Sequence, residues 1–179
     1  MIHIYTGNGK GKTTSAFGLA LRARGQGLKV IIFQFLKPKT LLCGEQVSIK
    51  KIKGIKLVRF DQAHPMFKNI ALTSCLSRAK FKDIARDIKK DFEKAKKMIS
   101  RKKYDMVILD EVINAVDQKF IDQKRFLKLL KNVPDKVELV LTGRGDISAI
   151  EQFADYITIM IDKKHPLRKK IGARRGIEY

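Results

Sequence analysis

The opening stretch Ile2-His-Ile-Tyr-Thr-Gly-Asn-Gly-Lys-Gly-Lys-Thr-Thr14 constrains this chain more than any other part of it. A short β-branched and aromatic run leads into alternating glycines, then Lys12-Thr13-Thr14, then the helix formers Ala16, Phe17, Leu19, Ala20 and Leu21. Strand, glycine loop, helix is the order in which a loop can wrap an anion. Gly7, Gly9 and Gly11 are free to take positive φ, so successive N–H groups around Asn8 and Lys10 can turn inward. The helix that starts near Thr13 adds its N-terminal partial charge. Lys12 would reach the phosphates of a nucleotide and the Thr13 hydroxyl would hold Mg²⁺. The loop departs from G-x-x-x-x-G-K-[ST] at its first position, where Thr6 stands for glycine and Gly7 is left to make the tight turn. A plain glycine turn would leave Lys12-Thr13-Thr14 at a helix start unexplained.

The rest of the chain alternates. Val30–Phe35 is a continuous apolar run, the mark of a strand buried on both faces, and Ile55–Phe60 reads as a second strand. Between them Lys37–Lys53 reads as a loop with some short structure. Asp61–Ser74 carries Pro65, Phe67 and His64 without a period. From Arg78 to Lys103, Phe81, Ile84, Ala85, Ile88, Phe92, Ala95 and Ile99 recur at helical steps. Tyr104–Glu111 is a strand ending in two acids. A helix around Phe126–Leu130, a strand Val137–Leu141, a short helix near Ser148–Phe153 and a strand Tyr156–Ile161 follow. Strands alternating with helices predict a three-layer α/β fold of the RecA-like, P-loop NTPase kind, with a mostly parallel central sheet, as one domain over 1–179.

Asp110 and Glu111 close the second half of the expected site. An acid at the carboxyl end of a buried strand can hold the metal on bound phosphates. Glu111 could instead orient a hydrolytic water, and the residues leave that choice open. Arg144, in Thr142-Gly143-Arg144-Gly145, either faces the phosphates or lies in solvent on a glycine turn. His3, His64 and His165 have no metal-ligand spacing, and Cys43 and Cys75 read as reduced thiols. Lys and Arg number 39 against 18 Asp and Glu, a net charge of +21. Such a surface attracts polyanions, but the cations are scattered and mostly lysine, which suits base reading less than arginine. Nucleic acid is thus disfavoured as a partner without being excluded. No apolar run is long enough to span a membrane and no leader precedes the first strand, so the expected location is cytoplasmic.

Taken together, Thr6-Gly-Asn-Gly-Lys-Gly-Lys-Thr-Thr14, Gln34-Phe35, Gly44-Glu45, Tyr104-Asp105 with Leu109-Asp-Glu111, Leu141-Thr-Gly-Arg-Gly145, Lys164-His-Pro166 and Gly176-Ile-Glu-Tyr179 resemble the P-loop corrinoid adenosyltransferases over nearly the whole chain. The resemblance implies transfer of the 5′-deoxyadenosyl group of ATP to the cobalt(I) of a corrinoid (a cobalamin, cobyrinate diamide or cobinamide) with release of triphosphate. It implies ATP contacts from Lys10, Lys12 and Arg22, and Mg²⁺ or Mn²⁺ served by Thr13 and Glu111 with Asp110 nearby. A homodimer and a flavodoxin-like reductant are further expectations of the family. Better-known members place a Phe-x-Trp element before the long helix, yet this chain has no tryptophan. Phe67, with Phe60 behind it, is the candidate replacement facing the corrinoid. The competing function is a basic RecA-like ATPase acting on nucleic acid. A third reading is a nucleotide-binding regulator without catalysis.

Overall fold

Which strands are apolar throughout decides the layout. In the computed structural model, which describes residues 1–37, 42–60 and 78–179 (backbone only at 78–81), six strands make one sheet. They are β1 (Ile2–Thr6), β2 (Val30–Gln34), β3 (Ile55–Arg59), β4 (Met106–Asp110), β5 (Glu138–Thr142) and β6 (Tyr156–Ile159). Their order is β3-β2-β4-β5-β1-β6, and every neighbouring pair is parallel, so the sheet is wholly rather than mostly parallel. All five residues of β2 and of β4 are buried, as expected for central strands covered on both faces. β6 is exposed along its length and forms one edge.

Two helical layers supply the covering. On one face, α1 (Lys12–Gly25) lays Ala16, Phe17, Ala20 and Ala23 against Val30, Ile32, Ile108 and Val140. The alanines let the helix sit close to the sheet beneath the phosphate loop. On the other face, α3 (Arg78–Ser100) buries Ile88, Phe92, Ala95 and Ile99 against Ile31, Phe33 and Leu109. Each such Ile, Leu, Val or Phe side chain contributes about 1.5–3 kcal/mol on burial. The same layer contains α4 (Val112–Asp117) and α5 (Gln123–Lys131), and α5 is capped by Asp122 accepting from the Arg125 N–H at 2.9 Å. Short α2 (Gly44–Ile49) is the short structure expected within Lys37–Lys53, and α4 follows β4 where the pattern predicts no helix. Six residues are too few for a helical period to register.

β1 and β2 are joined through α1 yet separated in the sheet by β4 and β5. The crevice at the carboxyl ends of parallel strands, where the order reverses, is the place such sheets bind ligands.

Candidate active site

The phosphate loop follows β1 directly. Gly7 and Gly11 have φ of 99° and 119°, as their lack of a side chain allows. Gly9 does not adopt positive φ, and its role is proximity instead. Its N–H donates to the Met160 carbonyl at 2.7 Å, and a Cβ there would lie 2.8 Å from Met160 and Ile161 backbone carbons. A Cβ on Gly7 would strike the Met160 carbonyl. The loop is therefore moulded against the segment that leaves β6. Lys12 Nζ donates to the Gly7 and Gly9 carbonyls at 2.6 and 2.7 Å, bracing the loop from within. Burial, and then the nearby Arg144 charge, push its pKa below the ordinary lysine value. Thr14, next on α1, is exposed.

Arg144 reaches this loop: Nη2 donates to the Asn8 carbonyl at 3.3 Å. Its backbone is pinned by N–H donation to Asn114 Oδ1 at 2.6 Å, where α4 presses so close that a Cβ on Gly143 would clash. Arg144 thus lies beside the phosphate loop while its side chain remains exposed. Lys10 points outward. Its ammonium donates to the Ile177 carbonyl at 2.8 Å and to Glu178 Oε1 at 3.2 Å. Hydrogen bonds from the Arg174 side chain and backbone hold the Glu178 carboxyl down to about 2. The closing Gly-Ile-Glu-Tyr element thus lies against the phosphate loop.

At the centre stands Asp110, wholly buried at the end of β4. Oδ1 accepts from Thr13 at 2.9 Å and from Thr142 at 2.7 Å. Oδ2 accepts from Lys37 at 2.8 Å and from Gln34 at 3.0 Å. Burial pushes this carboxyl up, but the Lys37 charge and the donated hydrogen bonds outweigh it and hold the pKa below the ordinary value. The network extends outward, with Gln46 donating to Gln34 at 3.0 Å and accepting from the Cys43 N–H at 3.1 Å. β5 lies between β1 and β4, so Thr142 at its end bridges them and also accepts from the Glu111 N–H at 3.0 Å. Glu111 itself sits at φ 62°. That left-handed backbone is costly for a residue with a side chain and is concentrated at functional sites. Burial and the adjacent Asp110 raise its pKa.

Two expected contributors are placed away from the phosphate loop. Arg22 is exposed on α1, about 15 Å of helix rise beyond Lys12, and its charge acts on the Tyr5 hydroxyl. Phe60 packs in the core. It is 4% exposed, stacked on Phe33 at 5.8 Å and tilted on Phe35 at 5.0 Å. Phe67 lies outside the described residues. Conversely, Lys37, Gln34 and Thr142 were missed. The available signals were a glutamine closing an apolar strand and a lysine three residues after it.

Thr13, Asp110 and Glu111 offer hard oxygen donors, which suit magnesium. No cluster of three or more His, Cys, Asp or Glu able to hold a metal occurs among the described residues. A magnesium ion here would therefore take the rest of its shell from water and nucleotide phosphates, its usual habit.

A glycine loop braced by lysine, feeding a helix and facing an acid-tipped parallel strand, defines a P-loop nucleotide-binding α/β protein. The profile of the ATP:corrinoid adenosyltransferase BtuR/CobO/CobP family matches residues 1–179, and the chain belongs to that family. A corrinoid adenosyltransferase of Sinorhizobium sp is 32% identical over 183 residues, covering 100% of this chain and 80% of that protein. One from Escherichia coli K12 is 30% identical, covering 100% and 85%. Corrinoid adenosyltransferase CobA of Salmonella typhimurium LT2 is 29% identical, again covering 100% and 85%. The chain is an enzyme of the ATP:corrinoid adenosyltransferase class, and the nucleic-acid ATPase reading is not favoured.

Proposed function

We propose that this enzyme binds the triphosphate of ATP on the Gly7–Thr13 loop and presents the ribose 5′ carbon to a corrinoid cobalt(I). The cobalt electron pair forms the Co–C bond, the C5′–O bond breaks, and its electrons leave on the triphosphate oxygen. Cobalt(I) is unprotonated, so no general base is needed. The protein's work is positioning and stabilising a highly charged leaving group. Lys12, the loop N–H groups and Arg144 do this directly, with Lys10 at the rim. The carrying observation is the convergence of Lys12 and Arg144 on one loop, across from a fully hydrogen-bonded Asp110. Magnesium held by Thr13 and Glu111, with Asp110 behind, would supply further charge to the departing phosphates.

The product identifies the reaction. Incubation with ATP and chemically reduced corrinoid should yield triphosphate in step with adenosylcorrinoid, and Lys12→Ala should lose most of kcat/KM while remaining folded. ADP and phosphate as products would overturn the reading.

A homodimer, a cytoplasmic location and reduction of bound cobalt(II) by an acidic flavodoxin-like protein complete the proposal. The net charge of +21 supports the last, because it would steer an acidic donor. Donor-driven turnover should then slow steeply up to about 0.3 M salt, where the Debye length is roughly 5–6 Å, while transfer from pre-reduced cobalt(I) changes little. Equal salt responses would remove that partner.

A further inference from the structure

Lys37 has no part in the chemistry above, yet it is buried in the middle of the site. It is placed there deliberately by the backbone. Leu36, wholly buried just past β2, takes a left-handed φ of 53°, a conformation a branched side chain adopts only when the surroundings impose it. The turn sends the Lys37 stem back across the strand ends. Its Nζ then lies 2.8 Å from Asp110 Oδ2 and 3.3 Å from Thr13 Oγ1.

A divalent ion served by Thr13 and Asp110 would draw on the two oxygens that the ammonium now contacts. The ammonium and the ion would therefore compete for the same oxygens. The surrounding charge bears on the outcome. Lys37, Lys12 and Arg144 are balanced by the Asp110 and Glu111 carboxylates and, beside Lys37, by Glu45. A dication added alone enters a neighbourhood already neutralised and must displace an ammonium to bind. A triphosphate adds the negative charge that a dication needs and provides the missing oxygen ligands.

We propose that Lys37 is a tethered counter-cation that reserves the metal position, so that a divalent ion binds tightly only together with nucleotide phosphates. This role rests on the reading that Thr13, Asp110 and Glu111 serve the metal. Lys37 would yield Asp110 when the nucleotide's charge arrives, making metal and nucleotide binding strongly and reciprocally coupled. A purely structural partner for Asp110 would affect stability but not metal affinity.

The test is a Mn²⁺ titration of the full chain, with and without ATP. Free Mn²⁺ is followed by electron paramagnetic resonance, and the ternary complex by water-proton relaxation. In the wild type, Mn²⁺ should bind about 50-fold more tightly with ATP than without it. Lys37→Met should tighten nucleotide-independent binding about tenfold and shrink the coupling by the same factor. Lys37→Gln keeps a hydrogen-bond donor near Asp110 without the charge, and serves if the methionine variant does not fold. A folded variant whose nucleotide-independent Mn²⁺ affinity equals the wild type's overturns the proposal. So does wild-type protein binding Mn²⁺ equally well with and without ATP, a result needing no variant. A wild type that forms no ternary Mn²⁺ complex with ATP would instead remove the metal-site reading, and this role with it.

Discussion

Replacing Thr142 by valine removes one hydroxyl of nearly unchanged shape from a fully buried position. That hydroxyl donates to Asp110 Oδ1 at 2.7 Å and accepts the Glu111 N–H at 3.0 Å. A hydrogen bond to a charged group contributes about 1.5–3 kcal/mol, and a buried donor left without a partner costs about 1–3 kcal/mol. The two losses share one oxygen and are not strictly additive, so the expected destabilisation is about 2–5 kcal/mol. For a chain of this size that lowers Tm by roughly 5–15 °C. Urea unfolding should show a lower midpoint at unchanged m, because the surface exposed on unfolding hardly changes. Thr142→Ser is the control. It keeps the oxygen and loses a buried methyl, costing about 1 kcal/mol. Adenosyl transfer should fall with the valine and survive with the serine, since Glu111 is held through its backbone by this oxygen. A valine variant as stable as wild type, or less damaged than the serine, would refute the assignment of Thr142 as the joint between β4 and β5.

Three further substitutions probe other parts of the site. Glu111→Gln should raise Tm at neutral pH while abolishing transfer, because burial and the Asp110 charge work against its ionised form. The wild type should lose stability as pH rises from the ordinary Glu value of about 4.3 through the raised folded value, and the glutamine variant should not. Asp110 has the opposite sign, its contribution being present above about 3.9 and lost as pH falls through the depressed folded value, so acid melts should separate the two. Gly9→Ala places a Cβ 2.8 Å from the Met160 and Ile161 backbone and should weaken ATP binding at least about tenfold, at a stability cost of about 1–3 kcal/mol, by calorimetry and thermal melts. Phe60→Leu should cost about 1–2 kcal/mol of stability and leave the corrinoid KM unchanged. A raised KM would restore Phe60 as a corrinoid contact.

Much of this architecture was legible from residue patterns. The β2 and β4 strands announced themselves as apolar runs, and α3 as a run with helical spacing. The phosphate loop and Asp110 were legible because glycine, lysine and acid occupy fixed places relative to a strand end. Lys37 was not, because its importance comes from the left-handed Leu36, and no side-chain pattern records a backbone angle. Gln34 matters because β2 lies beside β4, and Thr142 because β5 is inserted between β4 and β1, and strand order is set by tertiary packing. The packing of Phe60 was not legible, because an aromatic at a strand end looks alike in sequence whether it faces a ligand or packs, as this one does, on Phe33 and Phe35.

The mould formed by Met160 and Ile161 around the phosphate loop has a consequence for the order in which this molecule is made. The loop's shape depends on a carbonyl about 150 positions later in the chain. That carbonyl belongs to the segment leaving β6, which pairs with β1 on the side opposite β5, so the loop closes only once β6 has docked. A growing chain should therefore stay unable to hold ATP until Met160 has been made and β6 has paired with β1. In this protein nucleotide binding reports the completion of folding.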